Sequence, residues 1–295
     1  MKRTLIAFAI LAVSSTAFGW GEAGHLISNE AATLALPHDM PHFFYRAFPQ
    51  LVWLGPEPDR IKGTGASIEA FNFPNHFLDY EFVAPLKLPP DRYKYMALME
   101  SSGRRQYVHI TNSEAGFLPW MIAELSEELT AQFRMWRAAT PGSSERRALE
   151  GEIVSTAGNL GHFVADAANP HHATIDYNGW IEPNPEGFAN DCEVHGRFEA
   201  DFVSQAMTTA DVVPLLSAPK LQTDYFETAM SFIRQSNGKV ATLYRLDKRG
   251  AFDTMQGISP EGKSFVASRL AAGASLLRDI WWSAWRNSAE PRRRR

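Results

Sequence analysis

The apolar residues of this chain recur at the spacing of α-helices wherever a period is clear. Between positions 118 and 136, apolar side chains return at intervals of three and four residues, which is the pattern of one buried helix face. These side chains are Leu118, Met121, Ile122, Leu125, Leu129, Phe133 and Trp136. Asn112 or Ser113 would cap this helix at its start, and Thr140-Pro141-Gly142 would end it.

The other clear helical patterns lie in the second half of the chain. They cover about residues 144–166, 191–207, 223–246 and 260–287. The sequence has no clear two-residue alternation of apolar and polar side chains, which is the pattern of a β-strand. Two stretches that carry prolines and aromatic residues, 49–90 and 173–190, are predicted to be ordered, non-helical functional loops. We therefore predict an all-α fold, built as a single-domain helical bundle.

The first nineteen residues have the pattern of a secretory signal peptide. Lys2 and Arg3 give a positive start, residues 5–13 are apolar, and Ala17-Phe18-Gly19 suits a signal peptidase. We expect residues 1–19 to be removed, so that the mature protein begins at Trp20 and is exported, to a periplasm or to the outside of the cell. No later stretch approaches ~18 consecutive apolar residues, so no transmembrane segment is expected in the mature chain.

Charge and cysteine content narrow the possibilities further. The formal net charge is −4, and it becomes −6 when Lys2 and Arg3 are removed. A mildly acidic chain has no global signature of binding to duplex nucleic acid. Cys192 is the only cysteine, so an intrachain disulfide is excluded and the stability has to come from the core or from bound metals.

Two pairs of residues place an imidazole and a carboxylate four positions apart. His162 with Asp166, and His195 with Glu199, would each lie on one face of a helix, where both side chains can reach one metal ion. A proline after the first pair breaks its helix and brings His172 towards the same end of the cavity. Each pair alone also fits an ordinary surface or core pair. Together they favour zinc, and more than one ion.

The expected cleavage site adds a third candidate. The amine and carbonyl of an N-terminal Trp20 could chelate a metal, because an α-amine has a pKa of about 7.7–8.0 and loses its proton readily to a metal. His25, at the start of the first helix, could complete this site. Taken alone, His25 also fits an ordinary histidine near a helix start.

The order of these candidate ligands resembles that of the zinc-dependent phospholipases C, which are grouped with the fungal single-strand-specific nucleases. The matching positions begin at the expected cleavage site and run along nearly the whole mature chain. They are Trp20, His25, Asp59, His76, His162, Asp166, His172, His195 and Glu199. The resemblance implies an all-α fold with three zinc ions in a cleft, and it makes 20–295 the catalytic domain.

The resemblance also implies how the ligands are shared among the ions. One ion would take Asp59, His76, His162 and Asp166; a second would take His172, His195 and Glu199; the third would take Trp20, His25 and a bridging Asp166. Asp59 would also be the catalytic residue, which orients or deprotonates a metal-activated water.

The implied function is that of an exported zinc-dependent phosphodiester hydrolase of the phospholipase C type. Glu199 in the closing pair is more similar to the phospholipases, whereas the spacing from His172 to His195 is more similar to the nucleases. A single-strand-specific nuclease and a non-catalytic zinc-binding exported protein are therefore kept as alternatives. Tyr177, Trp180 and Phe188 are expected to contact a base or a choline headgroup. The expected partner is the phosphodiester substrate, and no obligate protein partner is evident.

Overall fold

The computed structural model describes residues 20–102, 115–181 and 183–289 of the chain. Within these ranges the regular structure is helical, and extended pairing is limited to one isolated antiparallel bridge between Leu78 and Gly116. The all-α prediction is therefore confirmed. The expected signal peptide and the helix cap expected at Asn112 or Ser113 lie outside the described residues.

The helices differ widely in length, and the longest lie in the second half of the chain. In chain order they are α1 (Gly21–Leu34), α2 (His42–Arg46), α3 (Phe48–Trp53), α4 (Glu57–Arg60), α5 (Ala66–Asn72), α6 (Tyr80–Val83), α7 (Arg92–Ser101), α8 (Leu118–Ala138), α9 (Ser144–Ala168), α10 (Val194–Gly196), α11 (Val203–Ala206), α12 (Thr209–Val212), α13 (Tyr225–Asn237), α14 (Val240–Lys248) and α15 (Pro260–Asn287). Turns of 3-10 helix occupy Phe73–Asn75, Pro170–Ala173, Val213–Leu215 and Thr254–Gln256, and a π-helical segment, Arg197–Phe202, joins α10 to α11.

The two longest helices begin at caps that can be recognised in the sequence. At α9, the Ser143 hydroxyl accepts a hydrogen bond from the Arg146 backbone N–H at 3.1 Å. At α15, the Ser259 hydroxyl accepts one from the Gly262 N–H at 3.3 Å, and a proline occupies the first helical position. Both arrangements satisfy backbone donors that a helix start leaves free.

Helices α8, α9 and α15 pack side by side at the centre of the bundle, and α1 lies against α9 and α15. The buried Trp281 of α15 ties two of them together, because its indole N–H donates to the Ala157 carbonyl of α9 at 3.0 Å. Gly158 allows Leu54 to approach α9 closely, since a Cβ there would lie 2.4 Å from Leu54 Cβ. The carboxyl-terminal half of α9 is thereby buried among the other helices.

Three details of the predicted helices are wrong. The pattern over 223–246 is two helices, because the chain breaks at Gly238 between α13 and α14. The helix predicted from residue 191 begins at Val194 and contains the π-helical segment. The stretch 49–90, predicted to be non-helical, contains several short helices, whereas 173–190 has no α-helix among its described residues beyond the turn Pro170–Ala173.

Among the described helices, none combines the length and the apolar character that crossing a membrane requires.

Candidate metal centre

The last turns of α9 supply the central pair of the site. His162 and Asp166 lie one turn apart, fully buried, with His162 Nε2 3.2 Å from Asp166 Oδ2. From α1, His25 enters the same space and places its Nε2 3.5 Å from Asp166 Oδ1. The donor atoms of these three side chains lie within 4.8 Å of one another. They therefore form one group that could hold a metal ion.

A second group shares His162 with the first. Asp59, in α4, lies with its Oδ1 3.6 Å from His162 Nε2 and 3.5 Å from His76 Nε2. His76 follows the 3-10 turn Phe73–Asn75, in a stretch held against α4 by a hydrogen bond from the Asn72 side chain to the Pro58 carbonyl. Although the loop prediction for this region is wrong, the short helices bring the two predicted ligands to α9.

The third group lies around the break at the end of α9. His172, in the turn Pro170–Ala173, has its Nε2 3.6 Å from Glu199 Oε2, and His195 Nε2 lies 2.6 Å from the same oxygen. Glu199 is in the π-helical segment, and His195 is in α10. Inserted π turns are frequent at functional sites, because the extra residue re-aims side chains of the helix. His172 Nδ1 also lies 3.6 Å from Asp166 Oδ1, so the third group adjoins the first.

Three of the histidines have their ring orientation and tautomer fixed by the backbone. The Nδ1–H of His76 donates to the Asn72 carbonyl at 2.9 Å, that of His162 to the Gly55 carbonyl at 2.9 Å, and that of His172 to the His76 carbonyl at 2.7 Å. A carbonyl can only accept, so Nδ1 carries the proton and Nε2 presents its lone pair. This is the arrangement that histidine ligands of metals usually have.

The atoms that face one another in this cluster lack hydrogen-bond partners. The Nε2 atoms of His76, His162 and His172, both ring nitrogens of His25 and both carboxylate oxygens of Asp166 are buried without an aligned donor or acceptor. A buried polar atom without a partner costs about 1–3 kcal/mol. A cation at each group would supply the missing partner, so the residues present fit the metal that their chemistry implies.

Burial and neighbouring charges set the protonation of the cluster. Burial lowers the pKa of His25 to about 3 and that of His195 to about 3, which keeps both rings neutral and able to bind a metal. Burial would raise the pKa of Asp166, but the histidines around it hold the value well below the ordinary range. Burial raises the pKa of Glu199 to about 8, so that a metal binding there would have to displace a proton.

Asn169 supports the third group from outside it. Its side-chain amide donates to Glu199 Oε2 at 2.9 Å, and its carbonyl oxygen accepts the backbone N–H of His171 at 3.0 Å. The residue is fully buried. Its hydrogen bonds fix both the carboxylate of Glu199 and the turn that carries His172.

Trp20 lies next to the first group. Its buried indole donates to the Ala165 carbonyl at 2.7 Å, one residue before Asp166, and its ring packs against Phe198 with centroids 5.3 Å apart. The side chain thus anchors the start of α1 beside the cluster. Ligation by the Trp20 amine stays a prediction.

The three aromatic residues expected to bind substrate lie in different surroundings. Tyr177 is half-exposed, with its ring centroid 6.0 Å from that of His195, and it stays a candidate. Phe188 is buried against Trp180 and Tyr244, with centroids 4.7 and 5.5 Å away. Trp180 is also packed on Tyr244. In this structure Phe188 and Trp180 therefore pack the loop 173–190 onto α14, and their substrate contacts are not favoured.

A cleft of about 1100 Å³ opens over the cluster and is lined by Asp59 and Glu199. Lys62 also lines it and places its Nζ 2.5 Å from Asp59 Oδ1. With His162 and His76, Lys62 holds the pKa of Asp59 well below its usual value, although burial alone would raise it. Sequence reasoning did not select Lys62; its position one helical turn after Asp59 was the available signal.

His171 is a second residue that sequence reasoning left as an ordinary polar or packed position. Its ring is buried between His195 and Tyr244, with centroids 4.9 and 6.0 Å away, and both of its nitrogens lack hydrogen-bond partners. Burial and the neighbouring His195 keep its pKa well below the usual value, so the ring is neutral. It packs directly behind a predicted ligand.

Comparison with known proteins gives limited guidance. No family model matches the chain, and no curated protein sequence matches it. Among solved structures, it is similar to the alpha-toxin of Clostridium perfringens from an avian strain, with 13% sequence identity and a TM-score of 0.41 over 91% of this chain and 64% of that one. The alpha toxin of Clostridium absonum gives 12% identity and a TM-score of 0.37 over 92% and 67%. Because both TM-scores are below 0.5, no functional conclusion is taken from these two likenesses.

Proposed function

We propose that this chain is a zinc-dependent hydrolase of phosphodiesters that binds three metal ions in the buried cluster. The observation that carries the proposal is the convergence of eight histidine, aspartate and glutamate side chains into three adjoining groups, each with donor atoms within 4.8 Å. The donors of the three groups are imidazoles and carboxylates, with no thiolate among them, and such donors suit zinc among the common protein metals.

The proposed division of ligands is that implied by the resemblance, and it differs from the three groups in sharing Asp166 rather than His162 between two ions. One ion would be held by Asp59, His76, His162 and Asp166; the next by His25, Asp166 and the backbone of Trp20; and the last by His172, His195 and Glu199. Asp166 would bridge two ions, which agrees with its position 3.2 Å from His162 and 3.5 Å from His25. Ligation by Trp20 requires that residues 1–19 be removed, so export of the chain is part of this proposal.

The chain's own residues then have distinct tasks in hydrolysis. Zinc ions bound at adjacent groups would lower the pKa of water and would stabilise negative charge on phosphoryl oxygens. Asp59 lies at the boundary of cluster and cleft and is ionised, so its carboxylate can accept a hydrogen bond from the attacking water and orient it. Lys62 adds a positive charge on the same wall, where it can attract the phosphate of a substrate.

The charges around the cleft favour a phospholipid over a nucleic acid. Apart from Asp59 and Glu199, the cleft is lined by the acidic residues Glu22, Glu193, Asp201 and Asp253 and by the basic residues Arg60, Lys62 and Arg197. All three basic side chains are paired with acids: Arg60 lies 2.6 Å from Glu22, Arg197 lies 2.9 Å from Asp247, and Lys62 lies 2.5 Å from Asp59. A nucleic acid, as a polyanion, gains little electrostatic attraction from a cleft edge of mixed charge. A headgroup that carries one phosphate and one cationic group is compatible with such an edge.

A single-strand-specific nuclease remains the second candidate, because the exposed Tyr177 near His195 could stack on a base as well as contact a choline group. A zinc-binding protein without catalysis is the third. These candidates share the metal cluster and differ in what enters the cleft.

The test is a comparison of substrates with one preparation. Protein beginning at Trp20 and loaded with zinc is incubated with phosphatidylcholine vesicles, single-stranded DNA and single-stranded RNA, with and without chelator. We expect release of phosphocholine that the chelator abolishes. A His162→Ala protein prepared in parallel is the control, because hydrolysis that persists in it comes from contaminating enzymes. Cleavage of nucleic acid alone would favour the nuclease, and inactivity on all three substrates would favour the non-catalytic reading.

A further inference from the structure

At the carboxyl-terminal end of α9, each of the last four carbonyls has a hydrogen-bond donor. The last four carbonyls of a helix have no partner within it. Here the Ala165 carbonyl accepts from the Trp20 indole, Asp166 from the Asn169 N–H at 2.9 Å, and Ala167 from the Ser236 hydroxyl at 2.6 Å. All of these contacts lie beside the metal centre.

The remaining carbonyl, that of Ala168, accepts a hydrogen bond from Arg269 Nε at 2.9 Å. Arg269 Nη2 donates to the Ser236 hydroxyl at 2.9 Å, so the arginine of α15 and the serine of α13 hold two successive carbonyls of α9 together. We refer to Arg269 and Ser236 as the α9 clamp. Arg269 is 7% exposed, and no ion pair between its guanidinium and a carboxylate is found among the described residues.

A buried arginine without a carboxylate partner has a clear electrostatic use at this position. Asp166 lies in the last turn of α9, where the helix dipole presents its negative end and disfavours a carboxylate. A guanidinium on the terminal carbonyl opposes that field. It also fixes the peptide that joins Ala168 to Asn169, where the backbone leaves the helix with ψ 122° and turns towards His172.

We propose that Arg269 is a positioning residue of the metal centre, which acts through the α9 clamp to set the spacing between Asp166 and His172. Asp166 precedes the clamped carbonyls, and His172 follows them by one turn; the two side chains are 3.6 Å apart. Because His172 belongs to the third group and Asp166 to the first, the clamp determines how the two groups meet. This inference rests on the proposed metal binding.

Loss of the α9 clamp should lower metal affinity separately from any effect on the stability of the fold. Loss of the clamp should weaken the ion at His172, His195 and Glu199 most, because His172 lies beyond the clamped peptide. The ion held by Asp59 and His76 should be affected less, since those residues reach α9 from α4 and the following segment. Loss of a supporting hydrogen bond outside the ligands typically weakens metal affinity about 10–100-fold.

The test measures zinc dissociation by competition with a chelator in the full-length mature protein, together with the melting temperature of the metal-free form. The variants are Arg269→Gln, Arg269→Lys and Ser236→Ala. The matched control is Arg278→Gln: this arginine is also buried in α15, but it pairs with Asp279 at 2.7 Å and does not touch α9 among the described contacts.

We expect Arg269→Gln to bind its weakest zinc about 10–100-fold less tightly than the wild type. Arg269→Lys, which keeps the charge and one donor, should recover part of this affinity, and Ser236→Ala should show a smaller loss. Arg278→Gln should lower the melting temperature and leave zinc affinity unchanged. Either of two results would overturn the positioning role, even if Arg269→Gln fails to fold. One is an unchanged zinc affinity in both Arg269→Lys and Ser236→Ala. The other is a loss of zinc affinity in Arg278→Gln that equals the loss in the clamp variants. A wild-type protein that binds no zinc would overturn the proposed function, and this inference with it.

Discussion

The imidazole of His25 stacks on that of His162, with ring centroids 3.9 Å apart and planes inclined by 18°. Both rings direct Nε2 at Asp166, although they come from α1 and α9. Two stacked imidazoles in a buried space cannot both be positively charged. Burial and the neighbouring His162 lower the pKa of His25 to about 3, whereas Asp166 and Asp59 outweigh burial and raise the pKa of His162 above its ordinary value. The buried carboxylate of Asp166 thus requires a positive charge among these rings, which a proton on His162 or a metal cation would supply.

Replacement of His162 should therefore remove both metal binding and activity. His162 belongs to two of the three groups, so His162→Ala should lower phosphodiester hydrolysis by more than about 100-fold and abolish the rise in melting temperature that zinc gives the wild type. Differential scanning calorimetry with and without zinc measures the second effect. His38→Ala, at an exposed position outside the cluster, is the control. Equal losses in both variants would show that the ligand assignment is wrong.

Asn169 should matter for metal binding without being a ligand. Asn169→Ala removes the 2.9 Å hydrogen bond to Glu199, so the carboxylate loses its orientation. We expect one of the zinc ions to bind about 10–100-fold more weakly, as measured by chelator competition. The exposed Asn190→Ala should bind zinc as the wild type does. Unaltered affinity in a folded Asn169→Ala protein would contradict the role given to this amide.

The start of the mature chain provides a test of the Trp20 ligand. A protein that begins Met-Trp20, with the methionine retained, carries an amide where the free amine should be, and its new amine is displaced by about 3.8 Å or more. We predict about one zinc fewer per chain and slower hydrolysis than in the protein that begins at Trp20. Intact mass confirms each N-terminus. The same zinc content and rate in both proteins would exclude the Trp20 amine as a ligand.

Asp79 should make the stability of the metal-free protein depend on pH. Burial, together with Glu81 and Asp176, raises its pKa from 3.8 to about 8 in the folded chain. Between these values the folded chain keeps a proton that the unfolded chain has lost, so the contribution of this group is full below pH 3.8 and is lost as the pH rises to 8.

Asp79→Asn cannot lose that proton, and its melting temperature relative to wild type should rise between pH 5 and pH 8. A gain of ~1 kcal/mol corresponds to about 2–4 °C for a chain of this size. Asp39→Asn should differ from the wild type by a constant amount over this window. Hydrogen bonds from Arg286 and Trp282 outweigh burial and lower the pKa of Asp39, so this carboxyl group is ionised in both the folded and the unfolded chain above pH 5. A pH-independent difference between Asp79→Asn and the wild type would show that the carboxyl group is not protonated in the folded chain.

The parts of the fold that follow from local pattern were predictable. α15 covers the residues 260–287 that the apolar spacing predicts. His162 with Asp166, and His195 with Glu199, are close because each pair spans one helical turn. Gly238, which separates α13 from α14, is a helix-ending signal in the sequence. The helical spacing of apolar residues continues on both sides of it, and one helix was therefore predicted.

Other features depend on contacts between distant parts of the chain. The π-helical segment around Glu199 has no signal in composition, since an inserted residue is set by packing. Aromatic content in the loop 173–190 does not distinguish a buried ring such as Phe188 from an exposed one such as Tyr177. Arg269 gave no sign of its role, because the carbonyl that it caps belongs to another helix.

Zinc anomalous scattering from crystals of the mature protein tests the central claim most directly, because it counts the ions and locates them. Data collected on both sides of the zinc absorption edge should give three peaks inside the cluster. One is expected among Asp59, His76 and His162, one among His25, Asp166 and Trp20, and one among His172, His195 and Glu199. A folded protein grown with zinc that shows no peak, or a single peak outside these residues, would contradict the account.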